Sequence, residues 1–244
     1  MAGPKPNWDA FDPETYLEHN YRQVLGADQW LFLRLIEDVR NAAGDIAAAG
    51  RMRSADIGTG PNLYPLLATA PYVAVSDALE IGALNRRYLL RQLAELDPIW
   101  KQWIALAGEH GEVIDETRFR TSLRVGATSI LDLPVEAYDI VTSFFCAESI
   151  TEDRAVFDAA CKGLVAATRP HGLLAAAFML GSTGYDTAGR QFPAVPIETR
   201  HLAEFFTPLL NDLRIETVPN GSDLRAGYTG MAYLSGRRPV DARI

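Results

Sequence analysis

The chain has 244 residues, 48% of them hydrophobic and 22% charged, with a formal net charge of −8. That length suits one sizeable α/β domain, and the composition is that of a soluble globular protein, which excludes a disordered or fibrous chain. The excess of acids and the scatter of the arginines exclude a general nucleic-acid surface, which needs clustered Lys and Arg to neutralise phosphates.

The first residues, MAGPKPNWDAFDP, contain no apolar run that would serve as a secretory signal, and no later stretch approaches the roughly 18 to 20 apolar residues of a membrane span. A cytoplasmic protein with no membrane partner, monomeric or homodimeric, is the expectation. From Asp12 to about Gly50 the pattern is helical, first DPETYLEHNYRQVLG and then ADQWLFLRLIEDVRNAAGDIAAAG, with Trp30, Leu33, Ile36 and Val39 at a spacing of three. Residues 1–50 therefore read as an N-terminal helical cap, and 51–244 as a single globular unit.

Short apolar runs then alternate with helical segments: RSADIG, a helix from about Asn62, YVAVSD, a helix from about Glu80, SLRVGA, YDIVTSFF, a helix from about Glu152, and GLLAAAFML. Strands that alternate with helices predict a parallel sheet made of βαβ units. LRIETVP (213–219) and GYTGMAYLSGR (227–237) break the rhythm, because only a loop separates them and two such strands pair antiparallel. The expected fold is α/β: a doubly wound, mostly parallel, Rossmann-like sheet of seven strands with an antiparallel C-terminal hairpin. This arrangement resembles the class I methyltransferases.

Chemistry concentrates at Asp56-Ile57-Gly58-Thr59-Gly60-Pro61, where a strand runs into a helix and two glycines let the backbone turn tightly beside a ligand. Asp77 ends YVAVSD, the next apolar run, and an acid there accepts two hydrogen bonds from ribose hydroxyls. A dinucleotide site asks for a third glycine where Leu63 stands, and Pro61 removes one backbone N–H from any pyrophosphate cradle. A nucleoside cofactor without phosphates fits better. S-adenosylmethionine brings a ribose for Asp77, an adenine for an apolar slot and a methionine tail for the glycine turn. The two cysteines, Cys146 and Cys161, form no CxxC pair, and the four histidines lie far apart, so neither a disulfide framework nor a metal site is expected.

DPETYLEHNY, DIGTGPNLY, FFCAES, RPHGLL and GYDTAGRQFPAVPI, in this order, resemble the nicotinamide, phenylethanolamine and indolethylamine N-methyltransferase family across nearly the whole chain. Residue by residue, the resemblance implies that Tyr16 and Tyr21 close over the cofactor. Asp56, Gly58, Thr59, Gly60 and Tyr64 would shape the methionine end, with Asp77 as the ribose acid and Phe144 at the end of the fourth strand. Gly82 stands where the family has an asparagine, for which Asn85, one helical turn further on, would substitute. Ala127 and Thr128 stand where the family has an adenine-reading Asp, leaving backbone groups and the Thr128 hydroxyl to read the base.

On the acceptor side, Glu148 matches an acid that contacts the substrate amine in the phenylethanolamine branch, and with Tyr21 it makes the expected catalytic set. Phe145, Ser182 and Tyr185 match substrate-side positions. Phe178 and Ser182 stand where relatives carry amine-anchoring acids, and Ala226-Gly227-Tyr228 replaces another, so the pocket carries less negative charge than an aminoalcohol site wants. Trp30, Phe145, Phe178, Tyr185 and Tyr228 offer an aromatic lining, and the Gly-rich 181–189 loop a lid. The expected acceptor is the nitrogen of a small aromatic or heteroaromatic molecule. Oxygen, sulfur or carbon acceptors remain the alternative, followed by a non-catalytic cofactor-binding module and, last, an NAD-dependent oxidoreductase.

Overall fold

The computed structural model describes residues 7–45, 52–218 and 228–241. Its strands are β1 (Met52–Ile57), β2 (Val73–Leu79), β3 (Leu123–Gly126), β4 (Tyr138–Phe144), β5 (Thr168–Leu180), β6 (Tyr185–Thr187), β7 (Arg190–Phe192), β8 (Asn211–Thr217) and β9 (Gly230–Arg237). Its helices are α1 (Pro13–Asn20), α2 (Gly26–Asp45), α3 (Tyr64–Thr69), α4 (Ala83–Ala94), α5 (Pro98–Glu109), α6 (Glu116–Ser122), α7 (Arg154–Ala167) and α8 (Thr199–Phe206). Seven strands form one sheet in the order β3-β2-β1-β4-β5-β9-β8. The first five pair in parallel and β9 runs antiparallel to β8, as the sequence predicts; β9 also runs antiparallel to β5. The chain order reverses between β1 and β4. At such a switch point the loops beyond the carboxyl ends of the strands part and leave a crevice.

Strand β5 shows why the sheet is buried on both faces. Leu173, Ala175, Ala177 and Met179 enter one core cluster, shared with α2, α3 and α5, while Leu174, Ala176, Phe178 and Leu180 enter the other, shared with α7 and α8. Successive strand residues point to opposite faces, so a continuous apolar run is what a central strand covered on both sides requires. Helix α7 supplies its side with Phe157, Ala160, Cys161, Leu164 and Val165, spaced to fall on one face.

Several details depart from the sequence reading. The buried stripe of α2 is Leu31, Phe32, Leu35, Ile36, Val39 and Ala42, leaving Trp30 and Leu33 partly buried at its border. This helix joins the core cluster that also holds Leu17 of α1, while Trp8 of the 3-10 turn Trp8–Ala10 and Tyr16 of α1 line the crevice. Helix α4 starts at Ala83 because Glu80 folds back onto the Gly82 N–H. Helices α5 and α6 fill the stretch after α4, each N-capped by an aspartate, Asp97 and Asp115.

The expected 181–189 loop contains part of a hairpin. Strands β6 and β7 pair antiparallel, and Ala188 and Gly189, at φ 52° and 71°, make the left-handed two-residue turn that matches strand twist. No helix among the described residues is long and apolar enough to cross a membrane.

Candidate active site

The turn after β1 is built by glycine for two different reasons. Gly58 and Gly60 sit at φ 67° and 56°, in the left-handed region. A Cβ on Gly58 would collide with Cys146 Sγ, so this glycine admits the chain leaving β4; a Cβ on Gly60 would meet nothing within 4 Å. The Gly58 N–H donates to the Leu79 carbonyl at 2.8 Å, and the Thr59 hydroxyl to the Asp56 carbonyl at 2.9 Å. Glu80, the first residue beyond β2, then ties the two loops together. Its Oε2 accepts the Gly60 N–H at 2.7 Å and its Oε1 the Gly82 N–H at 2.5 Å. Burial pushes its carboxyl up, and the bonds from Gly82, Gly60 and Asn85 oppose that rise.

Above this turn lies a cavity of about 980 Å³, open solvent at its mouth included. It crosses the carboxyl ends of the strands in sheet order. Thr128 and Ile130 follow β3, Glu80, Ile81 and Asn85 follow β2, and the 58–62 turn follows β1. Phe145, Cys146, Ser149 and Ile150 follow β4, with Phe144 and Met179 at the ends of β4 and β5. Trp8, Phe11, Tyr16, Tyr21, Tyr185 and Tyr228 complete the lining. Among the described lining residues, Glu80 is the one carboxylate, and none is Lys, Arg or His. Phe145 adopts φ 58°, a conformation that costs a non-glycine residue roughly 1–2 kcal/mol. Its N–H bond to the Ala177 carbonyl, at 2.8 Å, helps hold it.

The fold brings Tyr16, Tyr21, Gly58, Thr59, Gly60, Asn85, Thr128, Phe144, Phe145, Tyr185 and Tyr228 together around this cavity. Other expected residues lie elsewhere. Asp77 stands inside β2, opposite Ala55 in the register, and its carboxylate meets Arg53 at 2.9 Å. The strand continues through Ala78 and Leu79, so the acid at its carboxyl end is Glu80, which lines the cavity where Asp77 does not. Asp56 lies buried beneath the turn with the Thr142 hydroxyl on its Oδ1 at 2.6 Å, and desolvation raises its carboxyl to about 7. Tyr64 is fully buried, its ring stacked on Trp103 at 4.6 Å and its hydroxyl 3.4 Å from Asp28.

Ala127 does not line the cavity, and Trp30 packs edge-on against Tyr233. Ser182 is buried, where its Oγ accepts the Gly184 N–H at 3.4 Å. Phe178 points into the opposite core, between Phe157 and Phe206. Glu148, expected to meet the acceptor, is 0% exposed and outside the lining. Its Oε1 accepts the Met179 N–H at 2.8 Å, and burial lifts its carboxyl to about 7. The sequence reading missed Glu80, Trp8, Phe11 and Met179. For Glu80 the available signal was that the apolar run after Asp77 continues two residues further.

No family model matches the chain. Bovine phenylethanolamine N-methyltransferase is 24% identical over 234 residues, spanning 84% of this chain and 78% of that protein. Among solved structures, a Leishmania major SAM-dependent methyltransferase superposes with a TM-score of 0.57 at 15% identity, covering 95% of this chain and 80% of its own. The N-methyltransferase NodS from Bradyrhizobium japonicum WM9, in complex with S-adenosylhomocysteine, gives 0.54 at 13% identity over 95% and 94%. The fold is that of the class I methyltransferases. In this fold the crevice at the strand-order reversal is the place for a ligand, and here that is the cavity between the glycine turn, Glu80 and Phe145.

Proposed function

We propose that this S-adenosylmethionine-dependent methyltransferase moves a methyl group to nitrogen of a small aromatic or heteroaromatic molecule that binds uncharged. The supporting observation is the distribution of charge among the described lining residues: one carboxylate beside the glycine turn, no cation, and an aromatic far end.

The residues of the near end fit the cofactor. Glu80 accepts the Gly60 and Gly82 N–H groups and the Asn85 amide, and keeps a lone pair for a ribose hydroxyl. Asn85 lines the same wall, and its buried Oδ1 lacks a protein partner. Ile81, Thr128 and Ile130 form the slot for the base, and the open space over Gly60 suits the methionine tail. Among the described lining residues a diphosphate would find no cation to balance it, which disfavours a dinucleotide. Bound in this way, S-adenosylmethionine supplies an electrophilic methyl group on a sulfonium centre.

The transfer is an in-line displacement, so the protein has to align the nucleophile and exclude water. Tyr16, Tyr21, Phe145 and Tyr185 surround the space between the two ends, and aromatic faces tolerate a neighbouring cation where water is scarce. At the acceptor end Phe145, Ile150, Met179, Tyr185 and Tyr228 offer flat apolar contact and no counter-charge for an ammonium group. Glu148 lies behind Met179, bonded to its N–H. The acceptor nitrogen therefore enters with its lone pair free. An aliphatic amine protonated at neutral pH would have to lose both its charge and its hydration.

The test is to incubate the protein with S-adenosylmethionine and a panel of azaarenes, aromatic amines, aliphatic amines, phenols and thiols, and to measure S-adenosylhomocysteine. Azaarenes or aromatic amines should lead. Product with phenols or thiols alone would move the acceptor to oxygen or sulfur, and product with none would overturn the reading.

A further inference from the structure

Two separate segments roof the cavity. The N-terminal strap, residues 8–21, is fastened to α4: the Ala83 N–H donates to Asp9 Oδ1 at 2.8 Å, and Arg91 pairs with Glu14. The β6–β7 hairpin is fastened on the other side, where the Gly181 N–H just ahead of it donates to the Ile197 carbonyl at 2.9 Å. The strap carries Trp8, Phe11, Tyr16 and Tyr21 to the cavity, and the hairpin carries Tyr185.

Phe192, the last residue of β7, sits where the two segments meet. It is 5% exposed and does not itself line the cavity. Its ring stacks on Tyr185 at 5.3 Å and 19° within the hairpin, and on Trp8 at 5.2 Å and 27° in the strap. Phe11 meets it edge-on at 5.5 Å. The ring series continues from Phe11 to Tyr16 at 5.1 Å and from Tyr16 to Tyr21 at 5.9 Å. A side chain that touches three lining rings from two segments, without reaching the ligand space itself, is suited to fix those rings relative to one another. Aromatic pairs resist this kind of displacement because their preferred offsets and tilts are specific.

We propose that Phe192 is a positioning residue that joins the strap to the hairpin, so that closing the strap over the cofactor also sets Tyr185 and the hairpin over the acceptor. The inference rests on the near end of the cavity being the S-adenosylmethionine site. It makes the acceptor half of the roof a consequence of cofactor binding, and the acceptor is then favoured as the second ligand to bind. The coupling comes from ring contacts shared between two roof segments and requires no separate regulatory site.

The test uses the full chain and S-adenosylhomocysteine, with hydrogen exchange as the readout. In the wild type, S-adenosylhomocysteine should slow amide exchange in both the strap and residues 185–192. In Phe192→Ala the strap should still be protected, the hairpin should lose at least most of its ligand-induced protection, and affinity should fall about tenfold. Phe192→Tyr, which keeps the flat ring, should restore the coupling, whereas Phe192→Leu should not. If Phe192→Ala fails to fold, Trp8→Ala reads the same coupling from the strap side. Hairpin protection that is undiminished in Phe192→Ala and Trp8→Ala, or strap protection without hairpin protection in the wild type, would overturn the proposal. Absence of any S-adenosylhomocysteine binding to the wild type would overturn the cofactor reading beneath it as well.

Discussion

Replacing Glu80 and Asp77 in parallel separates the two acids that the run VAVSDALE offers for the ribose. Glu80 ends the strand at the cavity and already accepts the Gly60 and Gly82 N–H groups at 2.7 and 2.5 Å. Asp77 points instead to Arg53. Hydrogen bonds to an ionised group contribute about 1.5–3 kcal/mol each, so losing one ribose contact at the lower figure weakens binding by about tenfold. Glu80→Ala should lose at least that much, because the glycine turn also loses its anchor. Glu80→Gln should fall in between, since its amide keeps one acceptor oxygen but turns N–H toward a loop N–H. Asp77→Ala gives up an ion pair whose arginine is 40% exposed, at about 1 kcal/mol of stability or less, and should bind within about twofold of wild type. Calorimetric titration with S-adenosylhomocysteine reads all three. A loss in Asp77→Ala matching that of Glu80→Ala, or wild-type affinity in Glu80→Ala, would refute the placement.

Three further outcomes follow from the geometry. Gly58→Ala drives a methyl group into Cys146 Sγ and a left-handed backbone, and should cost about 3 kcal/mol or more in urea denaturation. Gly60→Ala meets open space, so it should cost only the roughly 1–2 kcal/mol of backbone strain while weakening S-adenosylhomocysteine, whose tail needs that space. Burial raises the Glu148 carboxyl from 4.5 to about 7, so its contribution is fully present below pH 4.5 and is lost as pH rises to about 7. The loss amounts to about 3 kcal/mol. Glu148→Gln should therefore match the wild type in stability near pH 4.5 and exceed it at pH 8; equal pH profiles for the two proteins would contradict the burial of a titrating carboxyl.

The order of strands was legible because each strand's apolar run carries its own length and punctuation, and the final pair lacks room for a crossover helix. The glycine turn was legible for a similar local reason, since only glycine accepts φ 67° against the Cys146 thiol. What lay beyond sequence was the exact end of β2. It is set by pairing with β3, where Leu79 faces Gly126 and the Glu80 N–H donates to the Gly126 carbonyl at 3.0 Å. The apolar Ala78 and Leu79 are the one local sign that the strand runs on to Glu80. Side-chain direction was equally hidden at Glu148, Ser182, Tyr64 and Phe178, all next to the site in sequence but turned into the protein by packing. Trp8 and Phe11 precede the periodic part of α1, so no amphipathic pattern marks them as roof residues.

A crystal structure of the protein with S-adenosylhomocysteine tests the site most directly. The ribose hydroxyls should lie within hydrogen-bond distance of Glu80, the adenine between Ile81 and Ile130, and the homocysteine tail over Gly60 with its sulfur toward Phe145 and Tyr185. A ribose held by Asp77, or a ligand bound outside this cavity, would contradict it.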